Sequence, residues 1–359
     1  MVRILPAFLS VFLLVSCASS RKASGTSEAQ ATQSPDRDSA TAAPESDGVF
    51  RIAFGSCNRT DLPNLLWDDI LATDPDLWIW GGDNIYADTD DAEAIRAMYR
   101  EQQAVPEYAA LEASVPVIGT WDDHDFGKND GGEEFGAKAK SQQALLDFLR
   151  VPQDSPRRTR EGVYAAQEYA FGDHSLKVIV LDTRYFRTGL QPDPSGEKRY
   201  IPNARGRGTI LGAAQWGWLA RELAGSRADF NIIVSSIQLL SGEHGFESWG
   251  LFPSEQARLL NLISLSGASG VIVLSGDRHI SEFSKVETPA LEYPLIDFTS
   301  SGLTHAYRDF SGEPNPYRVG EVVARESFGL LLLDAAAGKA TLQIRGDGGE
   351  VFAELQQGY

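Results

Sequence analysis

Short apolar runs recur along the chain, each closed by a Gly-rich or acidic turn, with stretches of helical spacing between them. Phe50–Phe54 is one such run and ends in Gly55-Ser56-Cys57. Between Asp61 and Ala72, apolar residues at Leu62, Leu65, Leu66, Ile70 and Leu71 fit one helical face. Asp76–Trp80 predicts a second strand, Ala92–Ala104 a helix, and Val115–Trp121 a third strand. Strands are expected over Tyr164–Phe171, Leu176–Leu181, Phe230–Ser235 and Val271–Ser275, and helices over Ala213–Leu223 and Ser254–Leu265. Phe328–Leu333 and Ala340–Ile344 flank Gly338 as hairpin sequence. No repeat of solenoid period is visible. The pattern is that of one α/β domain with mixed sheets, its C-terminal part richer in β-hairpins.

The first 48 residues stand outside this alternation. Met1–Ser16 has one positive charge at Arg3, a short apolar core and small residues before a cut site, the form of a secretory signal peptide. Leu14-Val15-Ser16-Cys17 resembles a bacterial lipobox, which makes Cys17 the expected lipidated first residue of an exported, membrane-anchored protein. From Ala18 to Gly48 there is no Val, Ile, Leu, Met, Phe, Tyr or Trp, so 17–48 is expected to be a disordered tether and 49–359 the folded domain. A coil of that length spans on the order of 30 Å.

Composition narrows the function classes. Lys plus Arg is 32 against 50 Asp plus Glu, a net charge of −18, which argues against a nucleic-acid-binding surface. The membrane is expected as a partner only through the lipid anchor, and no protein partner is identifiable. With two cysteines, a disulfide-stapled scaffold is excluded.

The chemistry sits where strands end. Cys57 follows the first strand, Asp83 and Tyr86 the second, Asp122, Asp123 and His124 the third, and Asp277 and His279 the run Val271–Ser275. In α/β sheets the ligand crevice lies beyond the carboxyl ends of strands. Carboxylates, imidazoles and a thiolate aimed into one crevice suit a binuclear metal site, whose cations neutralise charge the carboxylates could not otherwise share. Taken singly, each has a plainer reading. Cys57 could be a small buried hydrophobe, Asp122-Asp123 a helix-start charge cluster, and His124 and His279 satisfied interior histidines. Together they are harder to dismiss. With Cys17 lipidated, Cys57 would also be a solitary thiol in an oxidising compartment, where a metal would protect it. Asp88-Thr89-Asp90-Asp91 lacks EF-hand spacing, no G-x-S-x-G occurs, and His174, His244 and His305 show no paired spacing and read as structural.

These pieces resemble the PhoD-like family of metallophosphatases, the alkaline phosphatase D family. The matching segments are GSC at 55–57, GDNIY at 82–86, WDDHDFGKND at 121–130, LDTR at 181–184 and SGDRH at 275–279, with weaker likeness in LGAAQWGWL and in TSSG at 299–302. The resemblance implies a metallophosphatase-type sandwich of two mixed β-sheets flanked by helices. It implies Cys57 and Tyr86 as ligands to Fe3+, with Asp83 bridging to a second metal, commonly Ca2+. Asp123 and, less directly, Asp122 correspond to metal ligands, as do Asp277 and His279. His124 corresponds to the histidine that approaches the leaving group, and Asn129 and Arg184 to contacts with the second metal or the phosphate. Where many metallophosphatases place a His after a middle strand, this chain has Ser235-Ser236-Ile237-Gln238, so the second site is expected to be oxygen-rich and Ca2+- or Mg2+-like.

The expected function is extracytoplasmic, metal-dependent hydrolysis of phosphate esters, monoester or diester, by a hydroxide held between the metals and attacking phosphorus in line. A phospholipase-D-like phosphodiesterase and a non-catalytic metal-binding lipoprotein are the alternatives.

Overall fold

The computed structural model describes residues 48–359, together with the two-residue strand Thr41–Ala42. The leader, Cys17 and the rest of the expected tether lie outside the described residues. In chain order the longer strands are β1 (Val49–Gly55), β2 (Leu77–Gly81), β3 (Val117–Thr120), β4 (Ala165–Phe171), β5 (His174–Val180), β6 (Phe230–Val234) and β7 (Val271–Ser275). They continue with β8 (Ser281–Val286), β9 (Leu295–Ser300), β10 (Arg318–Val323), β11 (Phe328–Asp334), β12 (Lys339–Arg345) and β13 (Val351–Gly358). The helices are α1 (Trp67–Ala72), α2 (Ala92–Gln103), α3 (Pro106–Ser114), α4 (Asp123–Phe126), α5 (Lys138–Phe148), α6 (Gly212–Ala224) and α7 (Pro253–Leu265).

One sheet has the order β13-β12-β11-β1-β2-β3, and the other runs β4-β5-β6-β7-β9-β8-β10. Each has a parallel heart, β1-β2-β3 in the first and β5-β6-β7-β9 in the second, extended by antiparallel strands. Thr41–Ala42, inside the stretch expected as tether, pairs in parallel with Tyr169–Ala170 at the edge of the second sheet.

Strand alternation explains the layers. Phe50, Ile52 and Phe54 of β1 and Leu77 and Ile79 of β2 face Val178, Ile232, Val234, Ile272 and Leu274 in a core between the sheets. The alternate residues Ala53, Trp78 and Trp80 face outward under α1–α3 and α5, while Ile233, Val271 and Val273 lie under α6 and α7. Because both faces of the parallel strands are covered, these strands read as continuous apolar runs. The α/β class with two mixed sheets flanked by helices is as the sequence predicts, and strand follows strand from Val271 onward.

One helix is shorter than expected. The Asp61–Ala72 segment is helical only from Trp67, because Pro63 lacks an N–H and disfavours helical geometry at Leu62. Asn64 Nδ2 there bonds the carbonyls of Arg59 and Leu62 instead. Among the described residues, no helix is long and apolar enough to cross a membrane.

Candidate metal centre

The parallel strands of both sheets end at one place. Cys57, after β1, lies 3.0 Å from Ser301 Oγ, after β9, and 3.5 Å from Asp83 Oδ2, after β2. Backbones must approach closely for this. A Cβ on Gly82 (φ +102°) would stand 2.7 Å from Asp122 Cβ, and one on Gly276 would stand 2.5 Å from Ser56 Oγ. Cys57, Asp83, Asp277 and His279 all have positive φ (61°, 48°, 71° and 53°). Left-handed backbone at non-glycine residues is unfavourable and clusters at functional sites. Here four ligand-type residues share it.

Three overlapping sets of ligand atoms result, each within 4.8 Å: Cys57, Asp83 and His279; Asp83, Asp123 and His124; Asp122, Asp123 and Asp277. Tyr86 belongs with the first, its hydroxyl 2.9 Å from His279 Nε2 and 3.4 Å from Asp83 Oδ2. Its ring stacks on His124 at 4.0 Å. His124 in turn bonds Asp88 through Nδ1 at 2.7 Å and donates its backbone N–H to Asp83 Oδ1. Asn129 Nδ2 donates to Asp123 Oδ2 at 3.0 Å.

The electrostatics explain what these groups lack. Burial pushes the Cys57 thiol up to about 11 and Asp277 up to about 8, the latter helped by the charge of Asp123. Burial, then Asp123 and Cys57, raises Asp83, and burial, then Cys57 and Asp83, raises Tyr86. His279 is pushed down to about 3, chiefly by burial and then by His305 and His124, so its imidazole is neutral and free to ligate. Burial alone would also lower His124, but Asp88, Asp123 and Asp122 raise it overall. Four buried, crowded donors of this kind need a cation to ionise together. Asp122 Oδ2 and Asp123 Oδ1 are buried with no hydrogen-bond partner. An orphaned buried acceptor costs about 1–3 kcal/mol, and a hard cation accepts such oxygens. The residues present fit a metal centre.

Two expected site residues sit differently from the others. Arg184 was expected to touch the phosphate or the second metal. It is fully buried beneath the cleft, its Nε 2.5 Å from Asp122 Oδ1 and its Nη1 2.5 Å from Glu247 Oε2. With its charge spent on two carboxylates, it orients Asp122 and does not line the cavity. Asp122 is similarly occupied on one side, Oδ1 also accepting from Ser236 Oγ at 2.6 Å, so only Oδ2 is left for a ligand.

Several members were not read from the sequence. Ser301 donates or accepts at Cys57 and takes the His279 N–H at 2.8 Å. The only sequence signal was the weak TSSG likeness. His305, read as structural, packs edge-on to His279 at 4.5 Å and to Tyr86 at 5.2 Å. Glu247 joins Arg184 to Arg187, 2.8 Å from its Nε. A cavity of about 480 Å³ opens over the centre, lined by Asp83, Asp123, His124, Asn129, Asp277 and His279 and flanked by Arg199, Phe246 and Tyr307.

Residues 52–313 match the sequence pattern of the PhoD-like phosphatases. The chain belongs to that family. Beyond the matched region lie β10–β13, which complete both sheets. Alkaline phosphatase D of Bacillus subtilis (strain 168) is 29% identical over 197 residues, 48% of this chain and 32% of that one. The matched segment therefore spans about a third of that relative. Among solved structures, that of PhoD superposes with a TM-score of 0.70 at 19% identity, covering 89% of this chain and 71% of the other. A purple acid phosphatase from yellow lupin (Lupinus luteus) superposes at 0.57 and 12% identity, covering 88% and 54%. Both likenesses concern the fold, and the chemistry rests on the side chains.

Proposed function

We propose that this PhoD-like chain is an exported, metal-dependent phosphoester hydrolase. The observation that carries the reading is the three overlapping ligand sets, sharing Asp83 and Asp123, under a cavity large enough for an ester. Cys57, Tyr86, Asp83 and His279 would hold one cation and Asp83, Asp122, Asp123 and Asp277 the other. A thiolate and a phenolate favour Fe3+, and an all-oxygen set favours Ca2+ or Mg2+. Bound cations would supply Lewis acidity at the phosphoryl oxygens and a nucleophile at neutral pH.

The protein's own part is positioning and proton transfer. Asp88 at Nδ1 and the Tyr86 ring fix the His124 imidazole. The Asp88 carboxylate at Nδ1 favours the protonated imidazole, and a proton on Nε2 would serve the departing alcohol oxygen. Asn129 and the Asp130 N–H, 2.6 Å from Asp123 Oδ2, hold that carboxylate so that Oδ1 stays free. Arg184 does the same for Asp122. A chromogenic monoester and a chromogenic diester, assayed before and after chelation and after adding back iron and calcium, test the reading. Turnover of at least one ester, lost on chelation and restored by metal, is expected; turnover indifferent to chelation overturns it.

The LVSC tetrapeptide supports anchoring through Cys17 outside the cytoplasm. One acyl chain binds membranes only marginally, so a stable anchor requires several on that residue. Cys17→Ser is expected to move the protein from the membrane pellet to the soluble fraction. Unmodified native protein found wholly soluble, with cleavage at another site, contradicts the anchor.

A further inference from the structure

Phe246 and Tyr307 are exposed at 38% and 42%, in a fold that buries most of its large aromatic side chains. Both stand in the wall of the metal cavity. Single exposed apolar residues are ordinary on protein surfaces, but two aromatic rings bordering one ligand cavity are a recognition feature.

Each ring has neighbours that limit its movement. The Arg278 guanidinium covers Phe246 at 4.3 Å and is itself fixed by Glu313, whose two oxygens lie 2.8 and 2.9 Å from Nη2. The Phe246 backbone N–H donates to His244 Nδ1, and the next residue is the buried Glu247. The Tyr307 N–H donates to the carbonyl of His279 at 2.7 Å, which ties its backbone to a metal-ligand loop, and its ring meets Phe310 edge-on at 6.3 Å. Rings limited in this way bind a flat partner with less ordering to do first. Of the acidic residues in the cavity, Asp83, Asp123 and Asp277 would serve the cations, Asp130 pairs with Arg199, and Glu247 pairs with Arg184 and Arg187. The aromatic wall is therefore left to choose among the alcohols of phosphate esters.

We propose that Phe246 and Tyr307 form a subsite for phosphate esters whose alcohol carries a planar aromatic ring, whether a nucleobase or an aryl group. This rests on the phosphoesterase reading above. Benzyl and ethyl phosphate, offered as monoesters and as methyl diesters, differ in the ring while their alcohols have similar leaving ability. Uridine 5′-phosphate beside ribose 5-phosphate asks the same of a nucleobase. Binding of benzylphosphonate and ethylphosphonate to the metal-loaded protein, followed by calorimetry, needs no turnover.

The wild-type protein is expected to prefer the benzyl compounds by about tenfold in KM and Kd, the size of a stacked and buried ring. Phe246→Ala combined with Tyr307→Ala should abolish that preference while the ethyl compounds change less than about twofold, which also shows that the variant is folded. A nucleobase preference without a benzyl one, or the reverse, identifies which ring source the wall accepts. Equal binding of the two phosphonates and of the two sugar phosphates by wild type, or a preference that survives the double variant, overturns the subsite. If no ester is hydrolysed but the phosphonate preference exists and disappears in the variant, the hydrolase reading fails and the subsite stands.

Discussion

Asp83→Ala lowers turnover by at least about a thousandfold, beyond the 10–100-fold that loss of an outer-shell metal partner costs, while the protein remains folded. Asp83 is the residue common to the Cys57–His279 set and the Asp123–His124 set. Its two oxygens lie toward different partners, Oδ2 near Cys57 Sγ and the Tyr86 hydroxyl, Oδ1 at the His124 N–H. Losing it therefore weakens both cation positions at once. The fold survives because the sandwich core is elsewhere, packed between the sheets from β1, β2, β6 and β7. In the metal-free protein Asp83 is raised by burial and then by Asp123, so its ionised form adds no stability there. The companion Asp83→Asn, which keeps an acceptor for the His124 N–H, should melt in chelator no lower than wild type. What both variants lose is stabilisation by metal, worth about 2.7 kcal/mol to wild type at a hundredfold excess over Kd. Activity assays paired with melting curves, with and without metal, check this. Most of the wild-type turnover in a properly metallated Asp83→Ala protein would refute the shared-ligand arrangement.

What could be read in advance follows from where physical information resides in a chain. β1, β2, β6 and β7 are buried on both faces, so their sequences announce themselves, and the residues just beyond them could be singled out without coordinates. β8 is different. Ser281, Glu282 and Ser284 are buried, and a polar run does not look like a central strand. Glu282 tolerates burial because Arg318 Nε, Gln238 Nε2 and Asn315 Nδ2 all donate to it, partners that only the folded chain supplies. α5 is not legible in the sequence because Ser141 and Gln142 are buried beside Ala144 and Leu145, which blurs the apolar stripe. Gln142 reaches the carbonyls of Arg157 and Arg160. The site divides in the same way. Cys57, Asp83, Asp123, Asp277 and His279 follow strands directly, whereas Glu247 and His305 come from long connections whose path no local pattern specifies. Arg184 shows the limit of a motif. The LDTR segment places it at a strand end, but Asp122 and Glu247, distant in sequence, decide that it points beneath the cleft.

Metal-loaded protein is expected to be coloured, and Tyr86→Phe to shift or bleach the band with little loss of stability. For an arbitrary hydrolase of this size, a colourless zinc or magnesium protein is the ordinary expectation. The donor set argues otherwise. Zinc accepts Cys and His readily, but a phenolate is a hard anionic donor that favours a trivalent ion. The Tyr86 hydroxyl lies 2.9 Å from His279 Nε2 and 3.4 Å from Asp83 Oδ2, inside the set that includes Cys57. Burial, with Cys57 and Asp83 close by, holds that phenol protonated, so only a strongly charged cation brings it to the phenolate. Phenolate or thiolate on Fe3+ gives charge-transfer absorption in the visible. The substitution removes one oxygen and keeps the ring, which stacks on His124 and meets His305 edge-on. The packing is thereby retained, and any residual band reports Cys57. Element analysis beside a visible spectrum decides between the metals. Fully active protein with stoichiometric zinc, no iron and no visible band would discard the iron assignment, while the metal-dependent hydrolysis would stand on the Asp83 result alone.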